Sequence, residues 1–346
     1  MEAVKRHSSA LQEFHSVLLD LDAAALLRPH APHPDAYAHF FPTAVAEQHS
    51  DLVRLFRCGE SFAEKRVEAV LPPNVISGLE QMGILQRTQD SMSTGEFQLV
   101  YHLGLFLFFH RVSVHAKSYY GNDSLALSRM LLPTSGEVLD LCTGPGTQAF
   151  VSAKTASFVT ATDLEESVQP VFWINAAMNG LCEKVEFFPG DLFEPVRGRR
   201  FERICANPPF LPVPNDVQFP LYAGGGTDGL DVVRRILTQA PEFLAPDGIC
   251  QMMGSALGTS SGPDLSSLEG VARTAQLELQ VSCYSFTELN ERNVARFGST
   301  VMDASDHEHA KKTFQSHFRR MGASHIFYFV LQARPKLNRS PLMRLA

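Results

Sequence analysis

Glu137-Val-Leu-Asp-Leu-Cys-Thr-Gly-Pro-Gly-Thr147 decides how this chain folds. A β-rich apolar run ends on an acid and breaks at once into a turn with two glycines, which is how a parallel sheet brings a strand to a bound ligand. Gly144 and Gly146 let the backbone come close to that ligand, and a helix opening at Thr147 aims its unbonded N–H groups at the same point. One such turn is a weak signal. It gains weight from the runs that follow at the spacing of an α/β unit. Phe158-Val-Thr-Ala-Thr-Asp163 reads as a second strand, its acid about twenty residues past the glycines, where doubly wound folds hold ribose hydroxyls. Val185-Glu-Phe-Phe-Pro-Gly-Asp191 reads as a third, with an acid suited to accept from an adenine amino group. Phe201-Glu-Arg-Ile-Cys-Ala-Asn-Pro-Pro-Phe210 reads as a fourth that stops in a rigid polar corner.

That corner carries the chemistry. Each proline fixes its own φ, and Pro208 also restricts the residue before it, so the Asn207 side chain and the Pro208 carbonyl are held as oriented acceptors. They suit an amine or amide N–H. Phe210 can stack on a planar acceptor.

Asp140 with Gly144 and Gly146, then Asp163, Asp191 and Asn207-Pro-Pro-Phe210, resemble the ordered motifs of class I S-adenosylmethionine-dependent methyltransferases. With Gly224-Gly-Gly-Thr-Asp-Gly-Leu-Asp-Val-Val-Arg-Arg-Ile-Leu237 the pattern is similar to the branch of glutamine N5-methyltransferases (HemK-like), over residues 117–255. The resemblance implies a Rossmann-like seven-stranded sheet with helices on both faces. It implies S-adenosylmethionine held by Asp140, Cys142, Thr143, Gly144, Gly146, Gln148, Asp163, Leu164, Asp191, Leu192 and Asn207. Asn207, Pro208 and Phe210 would meet the acceptor, and Tyr119 and Tyr120, just before the first strand, would close over the sulfonium, since an aromatic face attracts a cation. One departure stands out: the family's usual glycine is Cys142 here, and Pro145 stiffens the turn.

Composition sets the bounds. At 346 residues and 45% hydrophobic content, two domains are expected: residues 1–115 as a helical, winged-helix-like accessory or lid, and residues 116–346 as the catalytic domain. No uncharged apolar run reaches membrane-spanning length and Glu13, Asp20 and Asp22 interrupt the N-terminus, so a cytoplasmic protein is expected. The six cysteines stand singly, without a CxxC pair, and read as reduced thiols. A net charge of −7 without a basic run argues against nucleic acid as substrate. His307 and His309 lack metal-ligand spacing on a helix, so no metal is expected.

Along the chain, Leu11, Phe14, Leu18, Leu21 and Ala25 recur at helical spacing. Residues 29–34 read as a proline-rich linker, 44–71 as helical, 74–82 as a short helix and 97–110 as one or two strands. That short helix would be the recognition helix of a winged fold, yet it has no Lys or Arg, so a lid or a contact between two copies of the chain is favoured over DNA binding. A helix is expected over 125–132, capped by Asp123 or Ser124, and another over 167–179 with Trp173 and Ala177 facing inward. Residues 211–226 read as an active-site loop and 228–244 as a helix. Strands follow at 248–254, 277–284 and 324–333, with a helix at 265–274. The polar stretch 287–319, with Glu288, Asn290, Glu291, Arg292, Asn293 and Arg296, would hang over the mouth.

Three activities fit these residues. The first is N-methyl transfer to an amide or amine, of a small metabolite or a protein glutamine; the acidic charge and aromatic lid favour the metabolite. The second is cyclisation of S-adenosylmethionine itself to azetidine-2-carboxylate and methylthioadenosine, compatible with Cys142 and Pro145. The third is a non-catalytic winged-helix regulator.

Overall fold

The computed structural model describes residues 2–21, 27, 51–111, 113, 115–300, 307–336 and 343–345; the expected linker at 29–34 lies outside them. The amphipathic repeat at the N-terminus forms α1 (Ser8–Asp20), which buries Leu11, Phe14 and Leu18. The expected short helix is α2 (Pro73–Gln81), opened by a proline in its first turn, where the missing N–H costs nothing. The apolar run 97–110 folds as a hairpin, β1 (Phe97–His102) and β2 (Leu105–His110), with Phe97 opposite His110 and His102 opposite Leu105.

Every residue of β2 is buried, as a continuous Leu-Phe-Leu-Phe-Phe run demands. Phe14 and Phe56 pack on Phe108 with ring centroids 6.1 Å away in each case. The strand's outer edge would leave backbone groups unpaired in this core, and helix side chains fill the gap. Asn175 Oδ1 accepts from Phe108 N at 2.7 Å and its Nδ2 donates to Phe108 O at 2.8 Å. Asn179 does the same for Phe106, at 3.0 and 2.7 Å. Two amides thus stand in for a missing strand.

Next in the chain come α3 (Asn122–Met130), β3 (Glu137–Leu141), α4 (Thr147–Ala153), β4 (Phe158–Asp163), α5 (Gln169–Met178), β5 (Val185–Pro189) and β6 (Phe201–Ala206). Then follow α6 (Asp231–Phe243), β7 (Leu244–Thr259), α7 (Ser266–Thr274), β8 (Leu277–Glu288), α8 (Glu291–Gly298), α9 (His307–Arg320) and β9 (His325–Pro335). The sheet order is β5-β4-β3-β6-β7-β9-β8. The strands β5 to β7 are parallel, and β9 enters antiparallel between β7 and β8. Two short additions widen the seven expected strands: residues 343–345 beside β8 and Gly262–Pro263 beside β7. This is the expected Rossmann-like α/β fold. From β3 the chain winds outward through β4 and β5, then returns to β6 on the other side. Such a reversal opens a crevice at the strand tips, between β3 and β6.

The helix expected over 125–132 begins earlier, and Gly121 rather than Asp123 or Ser124 is its cap. Ser124 sits one turn in and its Oγ accepts from Gly121 N at 3.3 Å. Asp123 is thereby released for another task. Within the stretch 287–319, α8 and α9 contribute Val294, Phe297, Phe314 and Phe318 to a cluster with Val213 and Leu257. Asn290 accepts from Asn293 N at 3.0 Å, and Asn293 Nδ2 donates to Glu288 O at 2.8 Å, so these polar residues cap the helix.

Candidate functional site

The crevice is a cavity of about 720 Å³ at the strand tips. Of the residues singled out in the sequence, it brings together Tyr119, Cys142, Thr143, Gly144, Gln148, Asp163, Leu164, Asp191, Leu192, Asn207, Pro208 and Phe210 as lining. Asp140, Gly146 and Tyr120 stand behind that wall.

The turn after β3 explains the division. Gly144 has φ +52°, and a Cβ there would meet nothing, so its missing side chain leaves open space. Gly146 has φ +89°, and a Cβ there would lie 2.2 Å from the Phe150 ring, so glycine is required by packing as well as by backbone. Cys142 also takes a left-handed conformation, φ 54°, at a cost of roughly 1–2 kcal/mol for a residue with a Cβ. That is why glycine is usual there. Burial and the nearby Asp163 push the Cys142 thiol well above its ordinary pKa, so it is a neutral wall of the cavity.

Asp140 is fully buried beneath the turn. Its Oδ2 accepts from Thr143 Oγ1 at 2.6 Å and Ala149 N at 2.9 Å, while Cys205 Sγ donates to Oδ1 at 3.4 Å. It anchors the loop from below, which corrects the expectation that it meets the cofactor. Burial raises its pKa from 3.8 to about 7. Because the folded value is the higher one, folding favours the protonated acid: the contribution is whole below pH 4 and is lost as pH climbs to 7. At 1.36 kcal/mol per unit this loss is on the order of 4 kcal/mol. Asp140→Asn is therefore expected to flatten the fall in stability over that range, measured by denaturant titration at several pH values; parallel wild-type and variant curves would contradict it.

Asp163 braces the turn from its other side. Its Oδ2 accepts from Gly144 N at 2.7 Å and its Oδ1 from Glu165 N at 2.9 Å. A carboxylate oxygen has two lone pairs, so each keeps one for a hydroxyl. Asp191 pairs with Arg235 Nη2 at 2.5 Å, a partner the sequence left unassigned although Arg235 lies in the quoted 224–237 motif.

At the tip of β6, Asn207 Nδ2 donates to Asp123 Oδ2 at 2.7 Å and to Ser124 Oγ at 3.3 Å. Two acceptors on that side fix which way the amide faces. Asn207 Oδ1 is then left buried, in the cavity wall, without a partner. Asp123 is buried, and desolvation raises its pKa against the pull of Asn207 and Tyr119. The corner is propped from behind: Ser255 Oγ donates to Phe210 O at 2.6 Å, and Val213 N to Gly226 O at 2.8 Å. Asp228 ties that glycine-rich loop to α6 through Arg234, 2.5 Å away.

Tyr119 stacks on Tyr222, centroids 5.4 Å apart and planes at 10°, at the cavity wall. Tyr120 turns inward instead. Its hydroxyl meets His102 Nδ1 at 2.8 Å and its ring packs on Phe109 at 5.2 Å, so one tyrosine of the expected pair faces the cavity. Tyr284 and Tyr328 complete the aromatic wall. Thr147 Oγ1 at the start of α4 is a second buried polar atom in the lining with no partner. Among the described residues no group of three His, Cys, Asp or Glu side chains is placed to hold a metal, and no helix is long and apolar enough to cross a membrane.

Residues 107–260 match the methyltransferase small domain family. The ribosomal protein uL3 glutamine methyltransferase of Bradyrhizobium diazoefficiens is 40% identical over 162 residues, which cover 43% of this chain and 51% of that protein. The release factor glutamine methyltransferase of Geobacter sulfurreducens is 35% identical over 127 residues, covering 34% of this chain and 44% of that protein. The chain thus spans about half the length of the curated relatives it matches. Among solved structures, the ribosomal protein L11 methylase of Lactobacillus delbrueckii subsp. bulgaricus aligns with a TM-score of 0.37 at 15% identity, over 64% of this chain and 82% of its own.

Proposed function

We propose, from the match of residues 107–260 to the methyltransferase small domain family, that the protein is an S-adenosylmethionine-dependent N-methyltransferase whose acceptor is the side-chain amide of a protein glutamine. The observation that carries this reading is Asn207 Oδ1: a buried acceptor in the cavity wall, unpartnered, on an amide locked by Asp123 and Ser124. A buried polar atom left unpaired costs about 1–3 kcal/mol, which a donor N–H from a substrate recovers. A glutamine carboxamide offers two N–H donors, one for Asn207 Oδ1 and one for the Pro208 carbonyl.

The residues present fit the cofactor. Asp163 and Asp191 keep free lone pairs for ribose and adenine groups, Gly144 leaves open space, and Thr147 Oγ1 awaits a polar partner. When bound, S-adenosylmethionine supplies a methyl group already activated on a sulfonium. The chain's own task is then positioning. Holding a nucleophile in line with an electrophile can lower a barrier by roughly 7 kcal/mol or more. Tyr119, Phe210, Tyr284 and Tyr328 exclude water and offer ring faces to a cation.

A protein glutamine is favoured over the small metabolite that the acidic charge and aromatic lid suggested, because both relatives above are named for that acceptor chemistry. The hairpin of residues 97–110 serves in this reading as a brace: it is held by Asn175, which also donates to Pro145 O of the glycine turn at 2.9 Å. Incubation with S-adenosylmethionine and a glutamine-bearing peptide is expected to yield adenosylhomocysteine and a peptide one methyl heavier, by mass spectrometry. Methylthioadenosine formed without any acceptor would instead support cyclisation, and release of neither nucleoside would leave the regulator reading.

A further inference from the structure

Arg203 is the largest side chain of the interior, 2% exposed on a central parallel strand whose other inner residues are apolar. Its Nε is buried without a partner, and among the described residues no carboxylate lies within 4.0 Å of its guanidinium. Asp140, the acid that attracts it most, is already engaged by Thr143, Ala149 and Cys205. A guanidinium stays charged at any physiological pH, and a buried charge without a counter-ion is strongly unfavourable. An anion bound in the cleft that Arg203 lines would neutralise it.

The strand register shows where. Arg203 pairs with Ile249, and Cys250 pairs with Ala333, so Arg334 stands one place on, beside Ile249. Arg203 and Arg334 therefore share one face of the sheet, two strand spacings or about 10 Å apart at Cα. Both line a cleft of about 470 Å³ at the ends of the strands remote from Asn207, closed by Leu132, Pro246 and Gly248. Two acids also border it. Glu202 is held by Thr134 Oγ1 at 2.7 Å, and Asp247 is exposed at the rim. Neither neutralises the buried guanidinium.

We infer that this cleft is a second binding site, for a small oxyanion such as a phosphate or carboxylate group, clamped between Arg203 and Arg334. A guanidinium presents its N–H groups as a planar fork that matches either anion, and two such forks spaced across one strand take the two sides of one group. The site is separate from the methyl-transfer cavity and does not depend on the function proposed for it.

Titration calorimetry of the full chain tests it, with inorganic phosphate in one arm and succinate in another, at fixed ionic strength set by chloride. Saturable binding in either arm is expected, and the arm that binds identifies the anion. Arg203→Met, which keeps the volume and removes the charge, is expected to weaken it by roughly tenfold or more, the loss of a charge-assisted contact. Arg334→Gln, at an exposed position that tolerates change, is expected to weaken it several-fold while leaving adenosylhomocysteine affinity unchanged. No saturable heat with either anion overturns the site, as does binding that survives both substitutions.

Discussion

Asn207→Ala is expected to lower the rate of methyl transfer by roughly 10²–10³-fold, the range seen when one preorganised hydrogen-bonding group is removed from a reacting centre. The variant loses the acceptor that Asp123 and Ser124 hold toward the cavity. Cofactor affinity is expected to stay within a few-fold, because the turn at Gly144 and the carboxylates of Asp163 and Asp191 are untouched. Single-turnover kinetics alongside adenosylhomocysteine titration separates the two. Lost cofactor binding with unchanged chemistry would assign Asn207 to the wrong partner. Asp123→Leu removes the group that orients Asn207 and is expected to move the rate in the same direction.

The second large effect is on stability. Asn175→Ala strips partners from Phe108 N, Phe108 O and Pro145 O together. Three backbone groups left unpaired, each at about 1–2 kcal/mol where water can partly reach them, predict a loss of roughly 3–6 kcal/mol. A denaturant midpoint reads it. Because Asn175 donates to both the hairpin and the glycine turn, its variant is also expected to bind adenosylhomocysteine more weakly. Asn179→Ala, which frees only Phe106 of that hairpin, should destabilise without moving cofactor affinity. Equal effects of both variants on cofactor binding would argue that the hairpin does not brace the turn.

Much of the parallel half was legible because each strand ends on a chemical signal. Asp140, Asp163, Asp191 and Asn207 mark four successive strand ends, and β3, β4 and β6 begin and stop where the residues place them. β7 was the exception: Gly254 and Gly258 interrupt its pattern, yet it runs from Leu244 to Thr259 because β9 pairs along it and the Phe329 ring occupies the space beside Gly254. Strand length there is set by a neighbour that no local window contains.

The site was legible to the same extent and for the same reason. Most residues in the strand-tip turns line the cavity as read, whereas, Tyr119 aside, residues that arrive from elsewhere were missed. Asp123 reads as a helix cap on local grounds, and only the fold places it against Asn207, 84 positions later. Arg235 and Asp191 meet across 44 positions, and Asn175 reaches Phe108 across 67. An Asn within a helix looks like a surface residue until a strand edge is brought to it. The Tyr119-Tyr120 pair failed differently: adjacent side chains leave the backbone on opposite sides, so one facing the cavity commits the other to the core.

The central claim is that one cavity seats the adenosyl group beside a locked amide that aims a glutamine nitrogen. A crystal structure with adenosylhomocysteine and a glutamine-bearing peptide tests it most directly. The account predicts the nucleoside against Gly144, Asp163 and Asp191, with the glutamine carboxamide donating to Asn207 Oδ1 and its nitrogen facing the thioether sulfur. A nucleoside seated elsewhere, or a carboxamide bound away from Asn207, would contradict it.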